Sequence, residues 1–294
     1  MRIGFLSPLD GDRIAFSREH GFGSVELLVK PEDPFMPGHD GWQSRVAEVR
    51  ATYQEAGLRI SCIGGFYVNH MDADPNVARA HCERVRSCVA LARELGVGTV
   101  AGFAGRVMNA ELDASLPRFR EIWNEHAKAA ADAGVRIAFE PCPMGSFHLP
   151  FGGINCMCTP AMWERCFDAV PSEAIGLEWD ASHLVCQLID PVANLRQFGS
   201  KVYHVHAKDA KVYRDVTDRY GICHRGAIEH CFPGLGDSDW AAIVKELLRA
   251  GYHGDLNIEG WHDAVYCNHE GGRQLEDTGL LVAKRCLEPL VDGI

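Results

Sequence analysis

A short apolar strand followed by a helix recurs about eight times along the 294 residues of this chain. The repeats are spaced by roughly 35 to 40 residues, and helices end at a glycine that the next apolar run follows at once. Gly57, Gly96 and Gly134 are such glycines. Strands that alternate with helices pair in parallel, and eight such units favour a closed barrel over an open sheet. With no linker in the pattern, the sequence predicts a single (β/α)8 TIM barrel domain spanning residues 1–294.

Several helix starts carry a capping signal. Thr159 precedes Pro160, and Asp190 precedes Pro191, so in each pair a capping side chain is followed by a proline at the first helical position. A third helix is expected over residues 74–95, again with a proline in its first turn. These signals place helices after the apolar runs, as the barrel interpretation requires.

Four apolar runs in the second half of the chain end on a side chain that can bind a metal. They are VRIAFEP with Glu140, IGLEWDASH with Asp180, KVYHVHAKD with His206 and DLNIEGW with Glu259. In a barrel these would be the ends of strands five to eight, where this fold builds its active sites. Three carboxylates brought together repel one another unless a cation or a proton neutralises them. We therefore expect one divalent metal ion, with Mn²⁺ favoured and Mg²⁺ or Co²⁺ as alternatives, because one imidazole among oxygen ligands suits these ions.

A deeper layer of polar residues follows from the same strands. Glu178 and His204 have the inward parity of Asp180 and His206, one step further into the barrel. They are expected either to orient the metal-binding side chains by contacting them or to have a direct role in the site.

Composition excludes several classes of protein. The formal net charge is −11, from 29 basic and 40 acidic residues, which disfavours nucleic acid as a partner. No apolar run approaches the roughly 18 residues of a membrane span, so we expect no membrane partner. The chain is too long for its twelve cysteines to suggest a disulfide framework, and the apolar run at its start is too short for a signal peptide. We expect reduced thiols and a cytoplasmic location.

These motifs resemble the sugar phosphate isomerase/epimerase superfamily, the xylose-isomerase-like TIM barrels that include ketose epimerases, inosose dehydratases and endonuclease IV. The resemblance covers nearly the whole chain and rests on VRIAFEP, WDASH, HAKD, PGLGDSDW and GYHGDLNIEG. It implies that Glu140, Asp180, His206 and Glu259 bind the metal and that Glu140 and Glu259 also move protons. It further implies that His183, three residues after Asp180, contacts the substrate.

The chemistry of such a site is consistent with this resemblance. A divalent ion that binds a carbonyl oxygen and the neighbouring hydroxyl acidifies the carbon-bound proton and stabilises an ene-diolate. Two carboxylates can then remove a proton from one face and return it to the other. We expect a metal-dependent isomerase or epimerase acting on a small carbohydrate or keto-sugar derivative. The alternative is a lyase on the same machinery, such as an inosose-type dehydratase or an enzyme that cleaves an oxidised glycoside. A nuclease of the endonuclease IV type is disfavoured by the acidity of the chain.

The remaining substrate contacts are harder to assign. Ketose epimerases of this superfamily usually carry a second glutamate shortly after the fifth-strand glutamate, whereas this chain has Ser146 with His148 nearby. A small free ketose is therefore in doubt as the substrate. Lys208 and Arg225 are the basic candidates for substrate binding, and His70, near the end of the third strand, is another.

Apolar residues in the long connections suggest a cover or a partner. If these side chains are exposed, they either close the barrel mouth or pack in a two-fold homodimer. They are Phe35, Met36, Phe147, Phe151, Met157 and Phe232.

Overall fold

A computed structural model describes residues 1–144, 153–267 and 272–293. Within this part of the chain, eight parallel strands close into a barrel in the order β1-β10-β7-β6-β5-β4-β3-β2. The barrel strands are β1 (Ile3–Ser7), β2 (Ser24–Leu28), β3 (Arg59–Phe66), β4 (Thr99–Gly102), β5 (Arg136–Phe139), β6 (Ile175–Asp180), β7 (Val202–Ala207) and β10 (Leu256–Ile258). The predicted TIM barrel is thereby confirmed.

Helices follow the barrel strands along the chain. The α-helices are α1 (Gly11–Glu19), α2 (Trp42–Glu55), α3 (Pro75–Leu95), α4 (Leu116–Asp132), α5 (Pro160–Ala169), α6 (Ser182–Val185), α7 (Pro191–Phe198), α8 (Arg214–Tyr220), α9 (Trp240–Arg249) and α10 (Arg273–Val291), with short 3₁₀ turns at Leu112–Ser115 and Gly199–Lys201. None of the helices in these described ranges has the length and apolar character needed to cross a membrane.

The capping signals in the sequence mark true helix starts. The side chains of Asp74, Thr159 and Asp190 each accept a hydrogen bond from a backbone N–H in the first turn of α3, α5 and α7. Each such cap contributes about 1 kcal/mol to helix stability. At the other end of α3, Gly96 takes the left-handed conformation that a side chain disfavours, with φ of 76°.

An antiparallel hairpin interrupts the β/α pattern after β7. Strands β8 (Asp209–Val212) and β9 (Ile228–Cys231) pair with each other outside the barrel, and α8 lies in the connection between them. The hairpin and α8 thus lie within the long connection between β7 and α9. Only Lys208 separates β7 from β8, so the local pattern of side chains gives no sign that the chain leaves one sheet for another.

The carboxylate of Asp209 anchors the base of this hairpin. It accepts hydrogen bonds from the backbone N–H of Ser238 at 3.0 Å and from the indole N–H of Trp240 at 3.2 Å. A Cβ at Gly236 would collide with the Asp209 carboxylate, so only glycine allows this close approach. The PGLGDSDW segment is therefore a structural partner of the HAKD segment.

Four of the six apolar residues that were expected to cover the barrel mouth or a partner lie inside the subunit. Phe35, Met36, Met157 and Phe232 are all buried in the chain itself, so the expectation that they expose apolar surface is wrong. Phe147 and Phe151 lie outside the described residues. A homodimer stays a prediction, without support from these four side chains.

Candidate metal centre

The side chains of Glu140, Asp180, His206 and Glu259 converge at the carboxyl end of the barrel. All four are buried, and one ligand atom from each lies within 4.8 Å of the others. Glu140 follows β5 directly, Asp180 ends β6, His206 lies near the end of β7, and Glu259 follows β10. We refer to these four residues as the outer cluster. The strand ends therefore bring together the residues that the sequence singles out.

Two buried basic side chains contact the carboxylates of the outer cluster. His183, on α6, places Nε2 at 3.2 Å from Glu140 Oε1 and at 3.3 Å from Asp180 Oδ2. Lys208 Nζ donates a hydrogen bond of 2.9 Å to Glu259 Oε1. Both residues were expected to bind substrate, and both lie beside the outer cluster.

Burial raises the pKa of these carboxyl groups, whereas the contacts with basic side chains lower it. Burial alone would raise the pKa of Glu259, but the charge of Lys208 holds that pKa well below its usual range. Burial also opposes ionisation of Glu140, but the contact with His183 lowers the pKa of that carboxyl group below its usual value. The pKa of Asp180 is raised, because burial outweighs the attraction of His183. Three carboxylates in this space therefore depend on positive charge.

The donor set fits a divalent metal ion. Asp180 Oδ2 and Glu259 Oε2 are buried, and among the described residues neither has a hydrogen-bond partner. Leaving such an oxygen unpartnered costs roughly 1 to 3 kcal/mol, more for a charged group. His206 Nδ1 faces the same space, at 3.3 Å from Glu140 Oε1 and 3.2 Å from Glu259 Oε2. Oxygen-rich coordination with one imidazole nitrogen suits Mn²⁺ or Mg²⁺ better than a closed structural zinc site.

A second buried group of polar residues lies deeper in the barrel and shares His206 with the outer cluster. Glu26 Oε2 lies 2.8 Å from His206 Nε2 and 2.9 Å from His204 Nε2. The Tyr67 hydroxyl oxygen lies 2.8 Å from Glu26 Oε1 and 3.0 Å from Glu178 Oε2. We refer to Glu26, Tyr67, Glu178 and His204 as the inner network. The deeper position expected of Glu178 and His204 is what the structure shows.

The Tyr67 hydroxyl shows how protons are shared in the inner network. Tyr67 has one hydroxyl hydrogen but two carboxyl oxygens within hydrogen-bond distance, so one carboxyl group must supply a proton of its own. Burial, together with the charge of Glu26, raises the pKa of Glu178 well above its usual range. Burial opposes ionisation of Glu26 as well, but the two histidines lower its pKa. Glu178 is therefore the protonated member and Glu26 the carboxylate.

Sequence reasoning missed Glu26 and Tyr67. Glu26 lies in the middle of the apolar strand β2, and Tyr67 follows β3 directly. An acidic residue within an otherwise apolar strand was the available signal. What it contacts could not be read from the sequence, because its partners come from other strands.

Two of the predicted substrate contacts are not brought to the outer cluster. The His70 ring is fully buried and packs against Phe66 and Trp123, with ring centroids 5.8 and 5.1 Å away. Burial lowers the pKa of His70 to about 3. This placement gives no support to substrate binding by His70. Arg225 is exposed in the connection between α8 and β9. Its role stays a prediction, and Ser146 and His148 lie outside the described residues.

His230 on β9 is a further residue that sequence reasoning missed. Its ring lies 5.4 Å from the ring of His183, centroid to centroid. Among the described residues, the Nδ1 atoms of His183 and His230 are buried without a hydrogen-bond partner. Burial, with the nearby charge of Lys208, lowers the pKa of His230 to about 2, so this imidazole is neutral. The hairpin thus brings a neutral hydrogen-bonding group to the edge of the outer cluster.

The chain is similar to a known fold family and to two kinds of enzyme, an epimerase and a dehydratase. A family model described as the xylose isomerase-like TIM barrel matches residues 14–283. The chain is 26% identical to the L-ribulose 3-epimerase of Mesorhizobium japonicum over 259 residues, which cover 86% of this chain and 75% of that protein. It is 30% identical to an inosose dehydratase of Clostridium perfringens over 111 residues, 36% of this chain and 37% of that protein.

The fold is also similar to that of a solved structure. A crystal structure of the IOLI protein with a bound zinc atom superimposes with a TM-score of 0.73 at 16% identity. The match covers 99% of this chain and 98% of that one. At this identity the likeness concerns the fold alone.

Proposed function

The chain belongs to the xylose isomerase-like TIM barrel family, and on that premise we propose that it is a metal-dependent isomerase or epimerase of a small sugar or keto-sugar derivative. The observation that carries the proposal is the approach of two carboxylates to one nitrogen. Glu140 Oε1 and Glu259 Oε2 lie 3.3 and 3.2 Å from His206 Nδ1, although they come from β5 and β10, which are not neighbours. Two carboxylates on different sides of one position are what inversion of a carbon centre needs.

The metal would be held by Glu140, Asp180, His206 and Glu259, with Mn²⁺ favoured over Mg²⁺ and Co²⁺. When bound, a divalent ion would polarise a substrate carbonyl and so acidify the neighbouring C–H bond. The two orphaned oxygens, Asp180 Oδ2 and Glu259 Oε2, support this assignment. In the related IOLI structure the bound metal is zinc.

Glu140 and Glu259 would move the protons. One carboxylate removes the proton beside the carbonyl, and the other returns a proton to the opposite face of the same carbon. A positioned general base or acid contributes about 10²- to 10⁴-fold to the rate. The contact with Lys208 supports this role for Glu259, because it keeps that carboxylate ionised and orients it.

His183 and His230 would hold the substrate. Their buried Nδ1 atoms have no hydrogen-bond partner within the described ranges, which leaves them for the hydroxyl groups of a polar ligand. Lys208, which hydrogen-bonds to Glu259 in the outer cluster, would contact the same ligand. The carbohydrate is the partner that this surface of hydrogen-bonding groups fits.

A dehydratase or lyase is the second candidate. It is favoured by the likeness to inosose dehydratase over 111 residues. The first step is the same proton abstraction, after which a substituent on the next carbon leaves instead of a proton returning. A nuclease remains disfavoured by the net charge of −11.

Incubation of Mn²⁺-loaded protein with candidate substrates in D₂O tests the proposal. Ketoses, keto-glycosides and inososes are compared by NMR. We expect deuterium to enter at the carbon beside the carbonyl, with epimer formation for the first candidate and loss of a substituent for the second. Product formed at a normal rate without solvent deuterium, in a protein shown not to recycle the proton, would contradict both.

The buried thiols Cys62, Cys88 and Cys166 are free, which supports a reducing, cytoplasmic setting.

A further inference from the structure

We propose that Glu26 is a positioning residue that fixes the tautomer of His206, so that Nδ1 presents its lone pair to the outer cluster. This inference rests on the proposed function, since the lone pair matters only if the cluster holds a metal. Glu26 belongs to β2 and His206 to β7, which do not pair in the barrel. The contact therefore crosses the barrel interior.

The carboxyl group of Glu26 lies among the side chains of three other residues. Glu26 is completely buried, and three hydrogen-bonding groups converge on it: the Tyr67 hydroxyl on Oε1, and the Nε2 atoms of His204 and His206 on Oε2. A hydrogen on Oε2 of a protonated carboxyl group could serve only one of the two imidazoles. A carboxylate has no hydrogen to place and can accept several hydrogen bonds. Glu26 is therefore the acceptor, and the Nε2 atom of His206 carries the hydrogen.

Glu178 is the other acid near His206 Nε2, but it is not placed to accept a hydrogen bond from that atom. Glu178 Oε1 lies 3.1 Å from His206 Nε2, which is within ion-pair distance. The same oxygen nevertheless has no hydrogen-bond partner among the described residues, so the angle is unfavourable. Glu26 Oε2, at 2.8 Å, is both closer and correctly oriented. The orientation of the His206 ring therefore depends on Glu26 in particular.

The hydrogen bond to Glu26 determines which nitrogen of His206 is left with a lone pair. An imidazole that binds a metal is neutral and has one N–H, so a hydrogen held on Nε2 leaves the lone pair on Nδ1. Nδ1 faces Glu140 and Glu259, where a metal would bind. Histidines that bind metals commonly donate their second nitrogen to a carboxylate, and loss of that partner lowers metal affinity by about 10- to 100-fold.

Mn²⁺ affinity, measured by competition with a chelator of known affinity, tests the role of Glu26. Glu26→Leu keeps a similar volume but removes the acceptor, and we expect Mn²⁺ affinity to fall about 10- to 100-fold. Glu26→Gln keeps one acceptor oxygen for the two histidines, so it should bind Mn²⁺ more tightly than the leucine variant. Glu246→Leu is the matched control, because Glu246 is a buried glutamate on α9 that pairs with Arg196 and Arg249.

A second readout separates positioning from general damage to the fold. In Mg²⁺-loaded protein with ¹⁵N-labelled histidine, the parent should show a hydrogen-bonded Nε2–H signal for His206, and Glu26→Leu should lose or shift it. If the leucine variant does not fold, the Mn²⁺ affinity and the Nε2–H signal of Glu26→Gln are compared with those of Glu246→Gln instead.

The outcomes distinguish this inference from the proposed function. Parent-like Mn²⁺ affinity in Glu26→Leu, or an unchanged Nε2–H signal, would overturn the positioning role alone. A parent protein that binds no divalent ion would overturn the proposed function and this inference with it. Equal losses in the Glu26 and Glu246 variants would assign the effect to stability and would also overturn the positioning role.

Discussion

Lys208 Nζ donates a 2.9 Å hydrogen bond to Glu259 Oε1, and both side chains are buried at the carboxyl end of the barrel. The other oxygen of Glu259, Oε2, lies 3.2 Å from His206 Nδ1 and has no hydrogen-bond partner in the described part of the chain. Lys208 therefore holds one oxygen of this carboxylate, and the other oxygen is available to bind a metal or a proton.

Removal of either Asp180 or His206 should weaken metal binding. Even residues that only orient a ligand change affinity by about 10- to 100-fold, so we expect Asp180→Ala and His206→Ala to lower Mn²⁺ affinity by more than about 100-fold. Metal analysis after dialysis against Mn²⁺, followed by titration calorimetry, measures this loss. Asp132→Ala, at an exposed position at the end of α4, is the control. If both cluster variants bind the ion as tightly as the parent, the outer cluster is not the metal site.

The two proposed bases should be separable from metal binding. Glu140→Gln and Glu259→Gln keep an oxygen donor and nearly the same volume, but they remove the base, so kcat should fall by at least about 10²-fold. Part of the metal should remain bound. In D₂O each variant should still exchange the substrate proton from one face more readily than it completes epimerisation. Full turnover in either variant would argue against its carboxylate as a base.

The two neighbouring histidines should affect the substrate and not the metal. His183→Ala and His230→Ala each remove an Nδ1 atom that has no hydrogen-bond partner among the residues the structure describes, and we expect a raised KM with unchanged metal content. Steady-state kinetics with parallel metal analysis separates the two effects. His253→Ala, exposed before β10, serves as the control. Loss of metal from His183→Ala would make it a ligand instead.

The hairpin should depend on Gly236. In Gly236→Ala the new Cβ meets the Asp209 carboxylate, so we expect a loss of about 1 to 3 kcal/mol in the free energy of unfolding. Gly98→Ala is a matched control, because a Cβ there meets nothing within 4 Å. Denaturant unfolding of the two variants gives the comparison. Equal stability in both would show that the hairpin base tolerates the larger residue.

The buried imidazole of His70 should make the protein sensitive to acid. Its pKa is about 3 in the folded chain, against an ordinary value of about 6.5. Between these values the unfolded state binds a proton that the folded state does not, so stability falls as the pH falls. From pH 6.5 to pH 5 this amounts to about 2 kcal/mol.

His70→Leu should remove that pH dependence. Denaturant unfolding at pH 7 reports the effect of packing alone, and the further loss between pH 7 and pH 5 should be about 2 kcal/mol smaller in the variant than in the parent. Identical losses in the two proteins would show that His70 takes up its proton in the folded state.

The sequence by itself determined the barrel and the positions from which the outer cluster is built. Strand and helix periodicity, with caps such as Asp74 and Thr159, are local properties of the chain, and eight β/α units have few ways to pack. In a parallel barrel all strands end on one face, so Glu140 and Asp180 could be assigned to the same face without knowledge of any contact. Their chemical roles are still predictions.

Only the tertiary structure decided which polar groups meet across the barrel and beside it. The contact of Glu26 with His206 depends on closure of the sheet, which turns strands that do not pair towards a common interior. The approach of His230 to His183 depends on a hairpin held by Asp209 and Gly236, residues 27 positions apart in the chain. Such contacts leave no local pattern, because their free energy comes from groups far apart in sequence that meet only after the backbone has folded.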